Sequence, residues 1–313
     1  MLYLANFLNF GVTNYQGELA ALSSAFLWAV GSVVWSRLGK RIPPLELNLI
    51  KGSIALVFLI VTLFLQSSLL PPIVPLAVGL LVLSGIIGIG IADTALFKAF
   101  NLLGPRRTLL LKILTVPTVA LLALIFLQEK LTTTAWFGII LTIFGIAWVI
   151  SERVPSVTGE ENYLLAGIGW AIVSTIGDAT GAVLSRAALT QTNIDPLSST
   201  TLRLSAGMLV LLLWAIVRSK ETDDKRIFNW QSILSIKLLA IITITGFATT
   251  YMGIWLQQIS LKFAPAGIAQ TLNATSPLFV LPIAIWMGEK VSARAILGVI
   301  VALVGVALLF DLV

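Results

Sequence analysis

The sequence contains one stretch twice. Pro117, Glu129, Lys130, Gly138 and Gly145 recur as Pro277, Glu289, Lys290, Gly298 and Gly305, each 160 positions further on. Pro105/Pro265, Thr115/Thr275, Leu121/Leu281, Ile125/Ile285, Ala135/Ala295, Ile140/Ile300 and Ala147/Ala307 keep the same register without insertion or deletion. Each copy reads as an apolar helix with an early proline, a short Glu-Lys turn, and a second apolar helix with glycines seven apart. A repeat of this length divides the chain into two like halves.

The material of those halves narrows the fold further. Hydrophobic residues make up 58% of the 313-residue chain and charged residues only 11%. A soluble chain of this size needs more charge to cover its surface. The apolar residues fall in blocks of about 18–24, each able to cross a bilayer core of roughly 30 Å as a helix. Ten such blocks can be counted. The expected fold is therefore an all-α polytopic membrane protein with ten transmembrane helices.

Five crossings per half have a topological consequence. The second half enters the membrane upside down relative to the first, as in many secondary transporters built from inverted repeats. The boundaries read as a short N-terminal segment at 1–16, a first repeat at 17–150, a linker at 151–162 and a second repeat at 163–310. Residues 1–16 lack the basic leading region of a signal peptide. Of the 20 Lys and Arg residues, sixteen lie on odd-numbered linkers or the adjoining helix ends. Only Lys130, Arg186, Arg203 and Lys262 fall on the other side. That bias favours both termini outside.

The chain has no His and no Cys. Thiol chemistry, disulfides, the common zinc sites and histidine proton shuttling are thereby excluded. No cofactor, metal site or compact catalytic group is expected, so the chain does not read as an enzyme. The net charge of +6 comes from basic residues at helix ends and does not indicate nucleic acid as a partner.

Ionisable groups inside membrane helices are functional suspects. Asp93, Lys112 and Asp178 are the ones to explain. Asp93 and Lys112 flank a shared linker at similar depth, so a pair between them is expected, either functional or purely architectural. Asp178 has no partner nearby in sequence and is the candidate for proton coupling or an amine contact, the alternative being a carboxyl group that is neutral or hydrogen-bonded to hydroxyls such as Ser174. Lys51, Lys112 and Arg203 could meet a phosphate or, being near helix starts, reach headgroups.

Polar residues cluster before the second proline. Gln270, Thr271, Asn273 and Ser276, with Thr115 from the first copy, could line a substrate cavity or serve as interhelical glue. The first copy has Leu110, Leu111 and Ile113 opposite Gln270, Thr271 and Asn273, so the repeat is asymmetric there. Trp28, Tyr251 and Trp255 could add aromatic lining or act as interface anchors. Pro117 and Pro277 remove a backbone donor and free a carbonyl one turn upstream. Glu129, Lys130, Glu289 and Lys290 suit a clamp or gate on a tight hairpin, with direct substrate contact as the alternative.

The repeated proline, the Glu-Lys turn and the Gly-containing final helix resemble the EamA family of the drug/metabolite transporter superfamily. The resemblance rests on Pro117, Glu129, Lys130, Gly138 and Gly145 and their counterparts Pro277, Glu289, Lys290, Gly298 and Gly305. It implies two inverted five-helix repeats around a central cavity. It also implies secondary transport, commonly export of amino acids or other small metabolites, with a proton gradient as the presumed drive. Sugar-phosphate or organic-cation transport within the superfamily, and a non-transporting membrane scaffold, are the alternatives. The partners implied are a small-molecule substrate, protons and membrane lipid, in a monomer or a homodimer of the cell membrane. The family is drawn with both termini in the cytoplasm, opposite to the charge bias. The multidrug relatives use a carboxylate deep in the first helix, where this chain has only Glu18 at the entrance.

Overall fold

A computed structural model describes residues 15–65, 74–126, 132–150, 161–221, 236–264, 266–286, 288 and 292–308. All regular structure among them is helical. The first repeat contributes α1 (Gln16–Gly39), α2 (Pro44–Leu65), α3 (Pro75–Gly85), a π-helical segment (Ile86–Ala92), α4 (Asp93–Lys112), α5 (Thr115–Phe126) and α6 (Thr133–Ile150). The second contributes α7 (Glu161–Gln191), α8 (Pro196–Glu221), α9 (Ile236–Gly246), a second π-helical segment (Phe247–Met252) and α10 (Gly253–Phe263). It ends with α11 (Ala266–Asn273), α12 (Ser276–Trp286) and α13 (Ala293–Leu308).

Among the described residues, six continuous helical runs are long and apolar enough to cross a membrane: Gln16–Gly39, Pro44–Leu65, Pro75–Lys112, Tyr163–Thr190, Pro196–Val217 and Ile236–Phe263. The Pro75–Lys112 run is not straight. Gly104 has φ 76 and ψ 170, a conformation that residues with a Cβ rarely adopt. Pro105 follows it and restarts the helix with its fixed φ. The run is thus kinked at Gly104, within the linker expected between Asp93 and Lys112. Val57, Ile60, Phe64, Ile140, Phe144, Leu209 and Ile244 point outward and are exposed. Ser24, Asn48, Thr94, Ser174 and Gln258 are buried. Apolar outside and polar within is the arrangement a bilayer requires.

Both proline helices are broken. Pro117 cannot donate to the carbonyl of Ile113, and the first helix stops at Lys112 before resuming at Thr115. Val116 N–H donates to Ile113 O instead, at 3.1 Å. In the second copy the break lies between Asn273 and Ser276. There the carbonyl of Asn273, out of reach of Pro277, accepts from Ser276 Oγ at 2.9 Å. Thr275 Oγ1 donates to Leu272 O at 2.6 Å. Small hydroxyl residues thus satisfy carbonyls that a bilayer could not.

The π-helical segments occur at equivalent places in the two repeats, each in the run preceding a broken helix. A π turn leaves carbonyls without an intrahelical partner, and neighbouring helices supply donors. Asn48 Nδ2 donates to Ile89 O at 3.0 Å, and Trp28 Nε1 to Thr249 O at 3.1 Å. Ser24 Oγ donates to Gly253 O at 3.1 Å. These bonds fix α1 and α2 against the two π segments that flank the cavity.

The repeats meet extensively. α1 packs on α10, α11 and α12, and α4 packs on α7. The final helices of the two copies, α6 and α13, lie against each other through the repeated glycines. A Cβ on Gly145 would stand 2.7 Å from Ala302 N, and one on Gly305 would stand 2.5 Å from Thr142 N. Thr142 Oγ1 bridges the contact, donating to Gly138 O at 2.8 Å and reaching Ala302 O at 3.3 Å.

Candidate functional site: a charged cavity between the repeats

A cavity with about 760 Å³ of empty space, mouth included, lies where the repeats meet. From the first repeat its wall takes Trp28, Ser32, Trp35, Lys51, Asp93 and Lys112. From the second it takes Asp178, Arg203, Thr249, Thr250 and Gln257. Phe97, Phe100, Ile89 and Ile254 supply apolar surface.

Two ion pairs cross it. Lys51 Nζ lies 2.5 Å from Asp93 Oδ2, and Lys112 Nζ lies 2.6 Å from Asp178 Oδ2. The expected Asp93–Lys112 pair does not form. Both residues line the cavity, as their similar depth implied, but each meets a nearer partner from another helix. Asp93 takes Lys51 of α2, and Lys112 takes Asp178 of α7. Lys112 also reaches Ser174 Oγ at 3.5 Å. The Lys51 ammonium sits 4.9 Å from the Phe97 ring centroid, within cation–π range.

Lys51, Lys112 and Arg203 do not extend to headgroups. Lys51 and Arg203 are buried, and all three face the cavity. Arg203 is only 3% exposed. Its Nε and Nη1 have no hydrogen-bond partner among the described residues.

The aromatic wall is held from behind. Trp35 Nε1 donates to Thr249 Oγ1 at 3.0 Å, and Thr249 Oγ1 donates to Thr245 O at 2.8 Å. Trp35 meets Phe97 edge-on at 6.1 Å. Trp28 is held at Thr249 O, as described above.

A smaller chamber, with about 400 Å³ of empty space including its mouth, opens at the two helix breaks. It shares Trp28, Leu109, Lys112 and Asp178 with the larger cavity, so the two adjoin at the Lys112–Asp178 pair. Thr115, Gln270, Asn273 and Ser276 line it, together with Pro277. The hydroxyl of Thr115, the Nε2 of Gln270 and both amide atoms of Asn273 are buried without a protein partner among the described residues. Buried polar groups are normally satisfied, so these are spare donors and acceptors. Thr271 is on α11 but not on the chamber wall, and its hydroxyl is also buried without a partner among the described residues.

The remaining sequence candidates fall elsewhere. Tyr251 and Trp255 lie outside the central cavity. Tyr251 shares a 2.8 Å hydrogen bond with Thr62 and stacks on Phe247 at 5.1 Å. Trp255 lines an outer groove with Gln16, Leu19 and Phe263. Helical periodicity explains this: Thr250, Ile254 and Gln257 share the inward face, which excludes positions 251 and 255. Glu129, Lys130, Glu289 and Lys290 lie outside the described residues.

Gln257 is a wall residue that the sequence did not place in the site, and Lys51 and Arg203, whose alternatives were a phosphate contact or headgroups, both stand on its wall. The signal for Arg203 was available. It stands seven residues past Pro196, deep enough in an apolar helix to be costly without a reason.

Helical crossings, an apolar exterior and a charged cavity between two repeats define a polytopic membrane protein of the transporter class. Comparison with known families makes the assignment specific. The EamA-like transporter family matches twice, over residues 15–151 and 165–311. The chain belongs to the EamA-like transporter family. A solved structure titled only as the crystal structure of a protein has a similar fold, with a TM-score of 0.65 and 16% sequence identity over 93% of this chain and 95% of that one. Comparison with curated proteins gives no match.

Proposed function

We propose that the protein exports small polar or zwitterionic metabolites, amino acids among them, by alternating access between two inverted five-helix repeats. Ten crossings are obtained if the kink at Gly104 is taken as a turn between two crossings, and each broken helix as one crossing. The site then lies between the repeats, as in other inverted-repeat transporters.

One observation carries the reading. The cavity wall is drawn from both repeats and holds charges of both signs beside aromatic surface and spare amide groups. A zwitterion needs such a site, with its two charges and its hydrogen-bonding capacity met in one enclosure. A non-transporting scaffold gains nothing from buried polar groups left without partners, which cost stability.

Proton coupling is part of the proposal. Asp178 is paired with Lys112 across the repeats, and proton binding there would release the pair. Relative motion of the repeats would then become easier. The decisive measurement is flux of radiolabelled amino acids in proteoliposomes, with and without an imposed pH gradient. Flux that responds to the gradient supports the reading. No flux across the amino acids and a broad metabolite panel would sink it.

A further inference from the structure

The cavity's charges do not balance. Lys51, Lys112 and Arg203 bring three positive charges, and Asp93 and Asp178 bring two negative ones. Both carboxylates are already committed, each within 2.6 Å of a lysine. The charge left over belongs to Arg203. Its side chain is the most deeply buried of the three cations, and two of its three nitrogens find no acceptor among the described residues. Asp178 and Asp93 act on it electrostatically across the cavity, but neither accepts a hydrogen bond from its Nε or Nη1, and a buried guanidinium whose N–H groups lack acceptors is disfavoured within a membrane protein. Such a group persists where an anion is to be received.

The backbone beside it leaves space. A Cβ on Gly88, in the first π-helical segment, would stand 3.3 Å from Arg203 Nη2. The missing side chain keeps that nitrogen clear on the cavity side. Gly88, Arg203 and the aromatic residues Trp28, Trp35 and Phe97 all face the same cavity.

We infer that Arg203 is the receptor for a carboxylate group of the substrate in this cavity. This rests on the transport reading above and names the anionic subsite within it. One carboxylate matches the one surplus positive charge. A phosphate dianion would overshoot it. The guanidinium fork suits a planar carboxylate, which can accept two parallel hydrogen bonds. The indole and phenyl surfaces then face the remainder of the molecule. The amide chamber lies beyond the Lys112–Asp178 pair, within reach of a longer substrate.

Equilibrium binding to the full-length protein in lipid nanodiscs tests the subsite without requiring flux. The probes are acetate, benzoate and the L-amino acids, each set beside its carboxamide, which lacks the carboxylate charge, with inorganic phosphate as the dianion. At least one acid should bind, and its carboxamide should bind at least ten-fold more weakly. Arg203→Gln should weaken that acid at least ten-fold, and Arg203→Lys by less, because a point charge is kept but the fork is lost. The inference is overturned if no acid binds, if carboxamides bind as well as acids, if phosphate binds better than every acid, or if Arg203→Gln binds like wild type. Should Arg203→Gln fail to fold, the acid and carboxamide comparison on wild type decides alone. Acid binding without flux in proteoliposomes would sink the transport reading and leave the subsite standing. Flux without acid selectivity would do the reverse.

Discussion

Lys112 and Asp178 form an ion pair between the two repeats, with Nζ 2.6 Å from Oδ2. Lys112 is the last residue before the first helix break, and Asp178 lies midway along α7. The pair also stands where the two chambers adjoin. Any motion that separates the repeats here must stretch or break it.

Removing one partner should therefore cost stability as well as function. Breaking a fully buried pair costs about 3–5 kcal/mol, because the remaining charge is stranded. These side chains are 17% and 23% exposed, so water relieves part of the penalty. Lys112→Met should lower stability by about 1–3 kcal/mol on that argument. The double variant Lys112→Met/Asp178→Leu should recover most of the loss. Asp178→Asn should remove the response of transport to a pH gradient while the protein remains assembled. Thermal melting in detergent and proteoliposome flux are the readouts. Unchanged coupling in Asp178→Asn would discard Asp178 as the coupling group.

The α6–α13 contact should be intolerant of added volume. A Cβ at Gly305 would stand 2.5 Å from Thr142 N and 2.8 Å from Gly138 O, both backbone atoms. Backbone cannot rotate away as a flexible side chain can. Gly305→Ala should cost about 1–3 kcal/mol, the usual range for overpacking. Gly79 is the control, since a Cβ there would meet nothing within 4 Å. Gly79→Ala should melt like wild type. Equal effects at the two positions would refute the close-packing account.

Much of this was readable beforehand, for definite reasons. Helices and their apolar faces follow from local pattern, and the glycine faces follow from spacing, so α6 and α13 could be anticipated as close-packed elements. The repeat located both proline breaks to within a turn. Partner choice was not readable. Lys51–Asp93 and Lys112–Asp178 depend on which helices pack together, and no local spacing encodes that. The π-helical segments were also missed, although Gly85, Gly88 and Gly90 crowd the first of them. Glycine reports low helix propensity without reporting the alternative. Tyr251 and Trp255 were misplaced because polarity and aromaticity suggested a cavity while the inward face was fixed by Thr250, Ile254 and Gln257.

The amide chamber offers a test that separates binding from stability. Asn273 has both amide atoms buried without a protein partner among the described residues. Such a group costs desolvation and returns nothing until a ligand arrives. Asn273→Leu should leave the melting temperature unchanged or raise it, by up to about 1 kcal/mol of added stability. It should raise the KM for transport of the best amino-acid substrate several-fold. A purely structural amide would behave in the opposite way, with melting lowered and KM unchanged. Gln270→Leu should follow the same pattern, since its Nε2 is likewise unpartnered.

Membrane orientation can be decided on the same chain. The Lys and Arg bias predicts that the segment between α8 and α9, with Lys225 and Arg226, faces the cytoplasm. Turning the Lys51, Lys112 and Arg203 side chains into the cavity does not reverse that bias, because the removed charges come from both sides of the count. The chain has no cysteine of its own, so a single Asp224→Cys gives one unambiguous label site. A membrane-impermeant maleimide should leave it unmodified on intact cells and modify it after permeabilisation. Prompt labelling on intact cells would place this segment outside and both termini within the cytoplasm, as the family is drawn.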